Sequence, residues 1–417
     1  MAPQTDTETG PDEEIEGGEP FPPVKRPGRR LRRFLHRRSV RVVLALFAVF
    51  LTWLSWSVGS ALLGPGNDST VARLAEWARD HHLGPVVTGL ETAQYKMNPP
   101  KVGGRPTIAL GPIGPAPSAV SSAAAAARAD ESKHVQMPTI APINPAPLVS
   151  PAGDPIPGEG AWKVIGSARG VAAVQAAMLR PDNEHTSYLA GVVSMDQRLV
   201  RFQLHPGTDD PGPDNWGVPP NIPSDARNGL LASFNGGFKV GEARGGFFLN
   251  GVTHGTLTDG AASLVFYKDG HATVGTWGGD VSMTPEVVGV RQNLRPIVSN
   301  GQVAPDVDQA IESGWGLTIG GKFFVWRSGA GVTQDGRLIY AYGPALSVRT
   351  LAELLHQAGC VQAMQLDINP AWMSFNYYEQ TKDPVNPNAV KLLPDQERPA
   401  DRYFEPTSRD FTAVYAR

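Results

Sequence analysis

From Val42 to Leu63 the chain reads VVLALFAVFLTWLSWSVGSALL, an uncharged and mostly apolar run. That is about the ~20 residues a helix needs to cross a bilayer. Lys25, Arg26, Arg29, Arg30, Arg32, Arg33, Arg37, Arg38 and Arg41 crowd its N-terminal side, and few cations follow it closely. Such asymmetry keeps the N-terminus in the cytoplasm and sends the rest across. The arginines are accounted for by topology and by contact with anionic head groups, so no nucleic-acid partner is expected. Small residues Gly59, Ser60 and Ala61 would suit a cleavage site. The run is longer than a usual signal-peptide core, however, and Trp53 and Trp56 suit a membrane interface. An uncleaved signal anchor over residues 42–63 is the reading favoured, with the C-terminal domain extracytoplasmic at a single-pass cell membrane.

The anchor divides the chain. Residues 1–41 begin acidic, turn basic and lack apolar periodicity, the pattern of a disordered cytoplasmic tail. Residues 64–158 form a juxtamembrane helix and a linker. The helix is expected over residues 68–82, capped by Asp68 or Ser69, with Val71, Leu74, Ala75 and Ala78 on one face. His81 and His82 are adjacent and do not share a face, which argues against a shared metal. From about residue 98 to 160 Pro, Ala and Gly dominate, with a possible local helix at Ala123–Ala127. The rest reads as an extended, polyproline-like spacer.

Residues 159–417 hold the folded domain, expected to be α+β, β-rich and mixed, with a few packed helices. Asp269-Gly270 and Asp335-Gly336 each separate two strand-like runs and mark hairpins. Strands are also read at Ser187–Val193, Arg198–Leu204, Leu317–Ile319 and Phe323–Trp326, the last two around Gly320-Gly321. Thr350-Leu351-Ala352-Glu353 reads as a capping box opening a helix that Gly359 closes. A half-buried strand follows from Cys360 and carries Asp367 near its end. Cys360 is the only cysteine, so no intrachain disulfide is possible, and it reads as a small buried hydrophobe.

Leu230-Leu231-Ala232 runs as a buried strand into Ser233-Phe234-Asn235-Gly236-Gly237-Phe238. Adjacent glycines admit positive φ and the close approach of another group. The order of motifs is more telling than any one of them: Asn235-Gly236-Gly237-Phe238, then Arg327 before Ser328-Gly329-Ala330-Gly331, the Asp335-Gly336 hairpin, the helix, and Gln365-Leu366-Asp367. This order resembles the phosphodiester glycosidase domain family, over about residues 185–415. The family usually continues its aspartate with Gly-Gly-Gly-Ser; here Asp367-Ile368-Asn369-Pro370-Ala371-Trp372 follows instead. Pro370 offers no N–H and stiffens the loop.

The resemblance implies hydrolysis of a sugar-1-phosphodiester or related glycosidic linkage, through an oxocarbenium-like state served by a carboxylate. Asp367 is assigned the carboxylate role and Arg327 the phosphate, whose oxygens match a guanidinium fork. Asn235, Gly236 and Gly237 would form one wall of the substrate site. Arg244, His254 and Trp372 are further substrate-binding candidates; each also has a structural reading, as a surface ion pair, a satisfied histidine and core packing. No metal-ligand spacing, P-loop or dinucleotide fingerprint occurs, and Asp306-Val307-Asp308 is too sparse for a calcium loop. No cofactor or metal is expected; the partners expected are a cell-envelope glycan or sugar phosphodiester and the membrane. The altered loop after Asp367 supports an alternative, a non-catalytic cell-wall glycan-binding domain on the same fold.

Overall fold

The computed structural model describes residues 38–64, 66, 68–108, 110, 140–308, 315 and 324–417. Most of the basic tail, the linker at 111–139 with its Ala123–Ala127 helix, and the strand and turn expected at Leu317–Gly321 lie outside the described residues. The chain falls into two units, Met1–Ser60 and Ala61–Arg417. The first holds nearly all of helix α1 (Arg38–Leu62), which is long and apolar enough to cross a membrane. Its side chains Val42, Phe47, Phe50 and Trp56 are exposed.

In the second unit, the Ser69 hydroxyl caps helix α2 (Thr70–Ala78) by accepting from the Ala72 N–H at 3.2 Å. The helical path does not stop at His82. A π-helical turn, Arg79–Leu83, leads into helix α3 (Gly84–Met97), which has Pro85 in its first turn. His82 makes the kink with φ of 63°, and His81 lies against Trp77, their ring centroids 4.5 Å apart.

The strands are β1 (Lys163–Ala168), β2 (Val171–Leu179), β3 (Ala190–Met195), β4 (Val200–His205), β5 (Leu230–Asn235), β6 (Phe247–Leu249), β7 (Val252–His254), β8 (Ala262–Tyr267) and β9 (Ala272–Thr276). There follow β10 (Val287–Gln292), β11 (Pro296–Ser299), β12 (Gln302–Val303), β13 (Val325–Thr333), β14 (Leu338–Leu346), helix α4 (Val348–Gln357), β15 (Cys360–Gln365), β16 (Phe375–Glu379), β17 (Asn388–Lys391) and β18 (Phe411–Ala416). They make three sheets, in the orders β1-β2-β3-β14-β13-β15-β11-β12, β7-β6-β10-β8-β9 and β17-β16-β5-β18-β4. The domain is thus β-rich and mixed, with few helices, as its patterning predicts. Both Asp-Gly hairpins form, β8–β9 and β13–β14, with Gly270 and Gly336 at φ of 83° and 82°.

The first and third sheets share a core through aromatic side chains. Phe234 of β5 lies 4.9 Å, centroid to centroid, from Tyr340 of β14, and Tyr340 lies 5.4 Å from Phe375 of β16. Helix α4 covers the other face of the first sheet with Leu351, Ala352 and Leu355, all buried. It can lie that close because β13 carries Gly329: a Cβ there would stand 3.0 Å from Leu355 Cδ1 and 2.7 Å from the Met364 carbonyl. Its N-cap is Ser347, accepting from the Thr350 N–H at 3.0 Å, three residues earlier than the box read from the sequence. Gly359, at φ of 95°, ends it as expected. The described ends of the Pro-rich segment run along the domain: the Gly103 N–H donates to the Glu184 carbonyl at 2.6 Å, and the Gln175 amide donates to the Ile143 carbonyl at 2.8 Å.

Candidate active site

Three strand ends meet at one edge of this core. β5 ends on Asn235, Asp367 follows β15, and Arg409-Asp410 leads into β18. Asn235 ties the first two together. Its side-chain oxygen accepts from the Tyr340 hydroxyl at 2.6 Å and from the Ser374 N–H at 3.2 Å. Its amide donates to the Gly236 carbonyl at 2.7 Å and to Ser328 Oγ at 3.0 Å. The same Ser328 Oγ accepts from the Asp367 N–H at 3.1 Å, and the Ser328 N–H donates to the Asp367 carbonyl at 2.9 Å.

Asp367 is 3% exposed. One carboxylate oxygen accepts the Ile368 and Asn369 N–H groups at 2.7 and 2.9 Å, and the other lies 3.8 Å from Arg409 Nη2. Burial pushes the carboxyl up to about 6; the Arg409 cation and the two N–H donors pull it back, and Glu76 adds to the rise. Burial also works against the Arg409 cation, but Glu76, Asp367, Asp210 and Asp410 together hold it above its ordinary value.

Gly236 and Gly237 are explained by what presses on them. A Cβ on Gly236 would stand 2.0 Å from Asp410 Oδ2, and one on Gly237 would stand 2.7 Å from Asn293 Oδ1. Close approach is therefore their use; neither has positive φ. Asp410 is gripped by Arg291, whose Nε and Nη2 donate to its two oxygens at 2.9 and 3.1 Å, with both side chains buried. The Arg291 fork also donates to the Phe238 carbonyl. Asn293 donates to the Gln365 and Leu366 carbonyls at 2.9 and 2.8 Å, fixing the strand that delivers Asp367.

Arg327 precedes Ser328 on β13, so the two side chains project to opposite faces. Ser328 serves Asn235 and Asp367, while Arg327 donates to the Leu346 carbonyl and to Gln365 Oε1, both at 2.8 Å. Burial lowers the Arg327 guanidinium to about 10. Tyr95 of α3 faces it and hydrogen-bonds the Phe324 backbone. Arg244 is exposed with φ of 54°, and His254 is exposed at the end of β7. Trp372 is buried, with the guanidinium carbons of Arg398, Arg409 and Arg402 at 5.1, 5.4 and 5.9 Å from its ring centroid. Cys360 is buried, which pushes its thiol well above the ordinary range. Asp306 and Asp308 pair with Arg295 and Arg349.

Sequence reasoning missed Arg409, Lys239, Arg291 and Asp410. Each takes its partner from far along the chain, so no local spacing announces it; Arg291 and Asp410 are 119 residues apart. Missed too was Glu76 of α2, whose carboxylate lies 2.5 Å from Lys239 Nζ and 3.5 Å from Arg409 Nη1.

Residues 228–367 match the phosphodiester glycosidase family, a span running from the start of β5 to Asp367. The family resemblance read from the motifs is thereby shown over that span. No curated protein matches the chain. Among solved structures, one similar chain is the zebrafish N-acetylglucosamine-1-phosphodiester α-N-acetylglucosaminidase catalytic domain, auto-inhibited by its pro-peptide. It is 12% identical, with 61% of this chain and 87% of that one covered and a TM-score of 0.38. A protein of Synechocystis matches at 10% identity, 60% and 63% coverage and TM-score 0.34. A Burkholderia pseudomallei protein described as exported matches at 12%, 55% and 74%, and 0.28.

Proposed function

Starting from the match of residues 228–367 to the phosphodiester glycosidase family, we propose that the chain is a membrane-anchored extracytoplasmic hydrolase of sugar-1-phosphodiesters in envelope glycans. The observation that carries this reading is the Asp367 carboxylate, fixed by two backbone N–H groups on one oxygen and set against Arg409 on the other. In this reading a water attacks the anomeric carbon as the bond from that carbon to the phosphate oxygen breaks. The bonding pair leaves with the phosphate, and the water's proton passes to Asp367. A carboxyl raised to about 6 is poised to take that proton near neutral pH.

The phosphate then needs a cation beside Asp367. Among the described residues Arg409 is set there, while Arg327 donates to the Leu346 carbonyl and to Gln365. The phosphate role that the motif order suggests for Arg327 therefore passes to Arg409. Arg327 becomes a positioning residue for β15 through Gln365, and Asn235 one for Asp367 through Ser328. The apolar helix α1 and the arginines before it support the anchor and its orientation.

A non-catalytic glycan-binding domain is the second reading, favoured by the loop after Asp367. That loop lacks the family's glycines and is pinned by Arg398, donating to the Ala371 carbonyl at 2.8 Å, and by Arg402, donating to the Trp372 carbonyl at 3.2 Å. The deciding experiment incubates the full chain, in detergent, with sugar-1-phosphodiesters and envelope glycans beside an Asp367→Asn variant. Turnover that falls by ~10²-fold or more in the variant supports the hydrolase. Binding by both proteins with turnover by neither establishes the second reading.

A further inference from the structure

Helix α2 is seated on the candidate site by charge. Of its side chains only Ala72 is buried, while Val71 is 77% exposed and Leu74 is 38% exposed. Its acidic neighbours and its own Glu76 go to cations. Asp68 Oδ1 lies 3.0 Å from Arg398 Nη2, with both side chains at most 5% exposed, and Asp68 Oδ2 accepts from the Ser408 hydroxyl. Glu76 bridges Lys239 and Arg409, and Asp80 lies 2.6 Å from Lys239 Nζ.

The receiving surface is unusual for a docking face. Arg398, Arg402 and Arg409 stand round one buried indole, Trp372. Like charges gathered in a desolvated place repel one another and need counter-anions there. Two of the counter-anions they have, Asp68 and Glu76, arrive on a short segment whose only fully buried apolar side chain is Ala72, with Ala75, Trp77 and Ala78 half-buried. A segment whose buried contacts are so largely ionic can be displaced when another anion takes over the cations.

We propose that Lys239, Arg398 and Arg409 form a subsite for a ligand bearing two anionic groups, and that Glu76 and Asp68 hold those two positions in the ligand's absence. Given that Arg409 also faces Asp367, the ligand class is a glycan with anionic groups on both sides of the reacting sugar. The inference rests on the reading of the Asp367 end as the ligand site, but not on turnover there.

Isothermal titration of the full chain in detergent micelles tests it, with α-glucose 1-phosphate and α-glucose 1,6-bisphosphate as probes at one fixed ionic strength. The bisphosphate is expected to bind roughly tenfold tighter than the monophosphate. The double variant Asp68→Asn/Glu76→Gln is expected to tighten bisphosphate binding by about a further tenfold, because the resident carboxylates no longer compete. Lys239→Gln, at the partly exposed rim, is expected to erase most of the bisphosphate's advantage. Unchanged or weaker bisphosphate binding in the double variant overturns the proposal, as does equal affinity for the two probes. Should Lys239→Gln fail to fold, the double variant still decides. A tightened double variant with no turnover keeps the subsite and rejects the hydrolase; Asp367-dependent turnover with an unresponsive double variant does the reverse.

Discussion

Helices α2 and α4 begin alike and dock differently. Each is capped by a serine hydroxyl that accepts the N–H three residues on, Ser69 from Ala72 and Ser347 from Thr350. Helix α4 then buries Val348, Thr350, Leu351, Ala352, Leu354 and Leu355 against the first sheet, whereas α2 buries Ala72 alone and spends Glu76 on Lys239 and Arg409. Apolar packing is unscreened and forfeits a cavity's worth of contact if it loosens. Ion pairs are screened by salt and weak where a partner is exposed, as at Lys239–Asp80, and are screened less where both partners are buried, as at Asp68–Arg398. One helix is therefore fastened mainly by apolar packing, and the other owes more of its docking to charge.

The largest expected difference comes from truncating one leucine on each. Leu355→Ala should cost about 2–5 kcal/mol of global stability by urea unfolding, since the side chain is fully buried over Gly329. Leu74→Ala, on a half-exposed side chain, should stay within about 0.5 kcal/mol. Comparable losses at the two positions would erase the distinction.

That distinction marks what the sequence could reveal. Helix α4 and the two Asp-Gly hairpins are legible because their causes are local: an apolar face at helical spacing, and glycines where the chain must take positive φ. Asn235, the glycine pair and Asp367 are legible as strand ends because polar or small residues close the apolar runs there. The sequence places the cap of α4 three residues late because Thr350-x-x-Glu353 fits the capping-box pattern, whereas the cap itself, Ser347, has Thr350 rather than Glu or Gln at the fourth place. The cations were not legible at all. Arg409 reaches Glu76 across more than three hundred residues, and Lys239 reaches the same carboxylate from the loop after β5. Charge pairing over such distances leaves no periodicity behind.

Asp367 offers a smaller effect that reports on α2 from inside the site. Its folded value of about 6 lies above the ordinary 3.8, so between those values the folded chain holds a proton the unfolded chain has lost. The stability this group contributes is complete below about pH 4 and falls as pH rises to about 6, by about 1–3 kcal/mol. Asp367→Asn should flatten that fall in a pH series of urea melts. If Asp367 is the base, activity should rise through the same value near pH 6. Glu76 helps to raise that value, so Glu76→Gln should move both inflections to lower pH, while substitutions on the exposed face of α4 should leave them in place. Inflections that ignore Glu76 would mean that α2 does not sit over Asp367 in solution.

Salt separates the helices more gently. Between about 0.05 and 0.5 M the Debye length shrinks from roughly 14 to 4 Å. Exchange of the α2 amides should speed up severalfold over that range, and exchange in α4 should not change. Acceleration in both would indicate a loosening of the whole domain.

The smallest effect comes from the two caps, and it isolates the docking from the helices themselves. Removing either hydroxyl deprives one N–H of its acceptor and costs the local helix about 1 kcal/mol. In α4 that cost is paid by the folded domain, because its apolar face cannot leave the sheet without unfolding it; Ser347→Ala should lower global stability by nearly the full amount. In α2 the same local loss has another outlet. The helix can fray or lift while the three sheets stay packed, so Ser69→Ala should change the global unfolding free energy by no more than a few tenths of a kcal/mol. Its effect should appear instead as faster exchange at Ala72 and Arg73 and as tighter anion binding at Lys239. Equal shifts in the urea midpoint from the two serines would show that α2 belongs to the same cooperative unit as α4, held there by more than its charges.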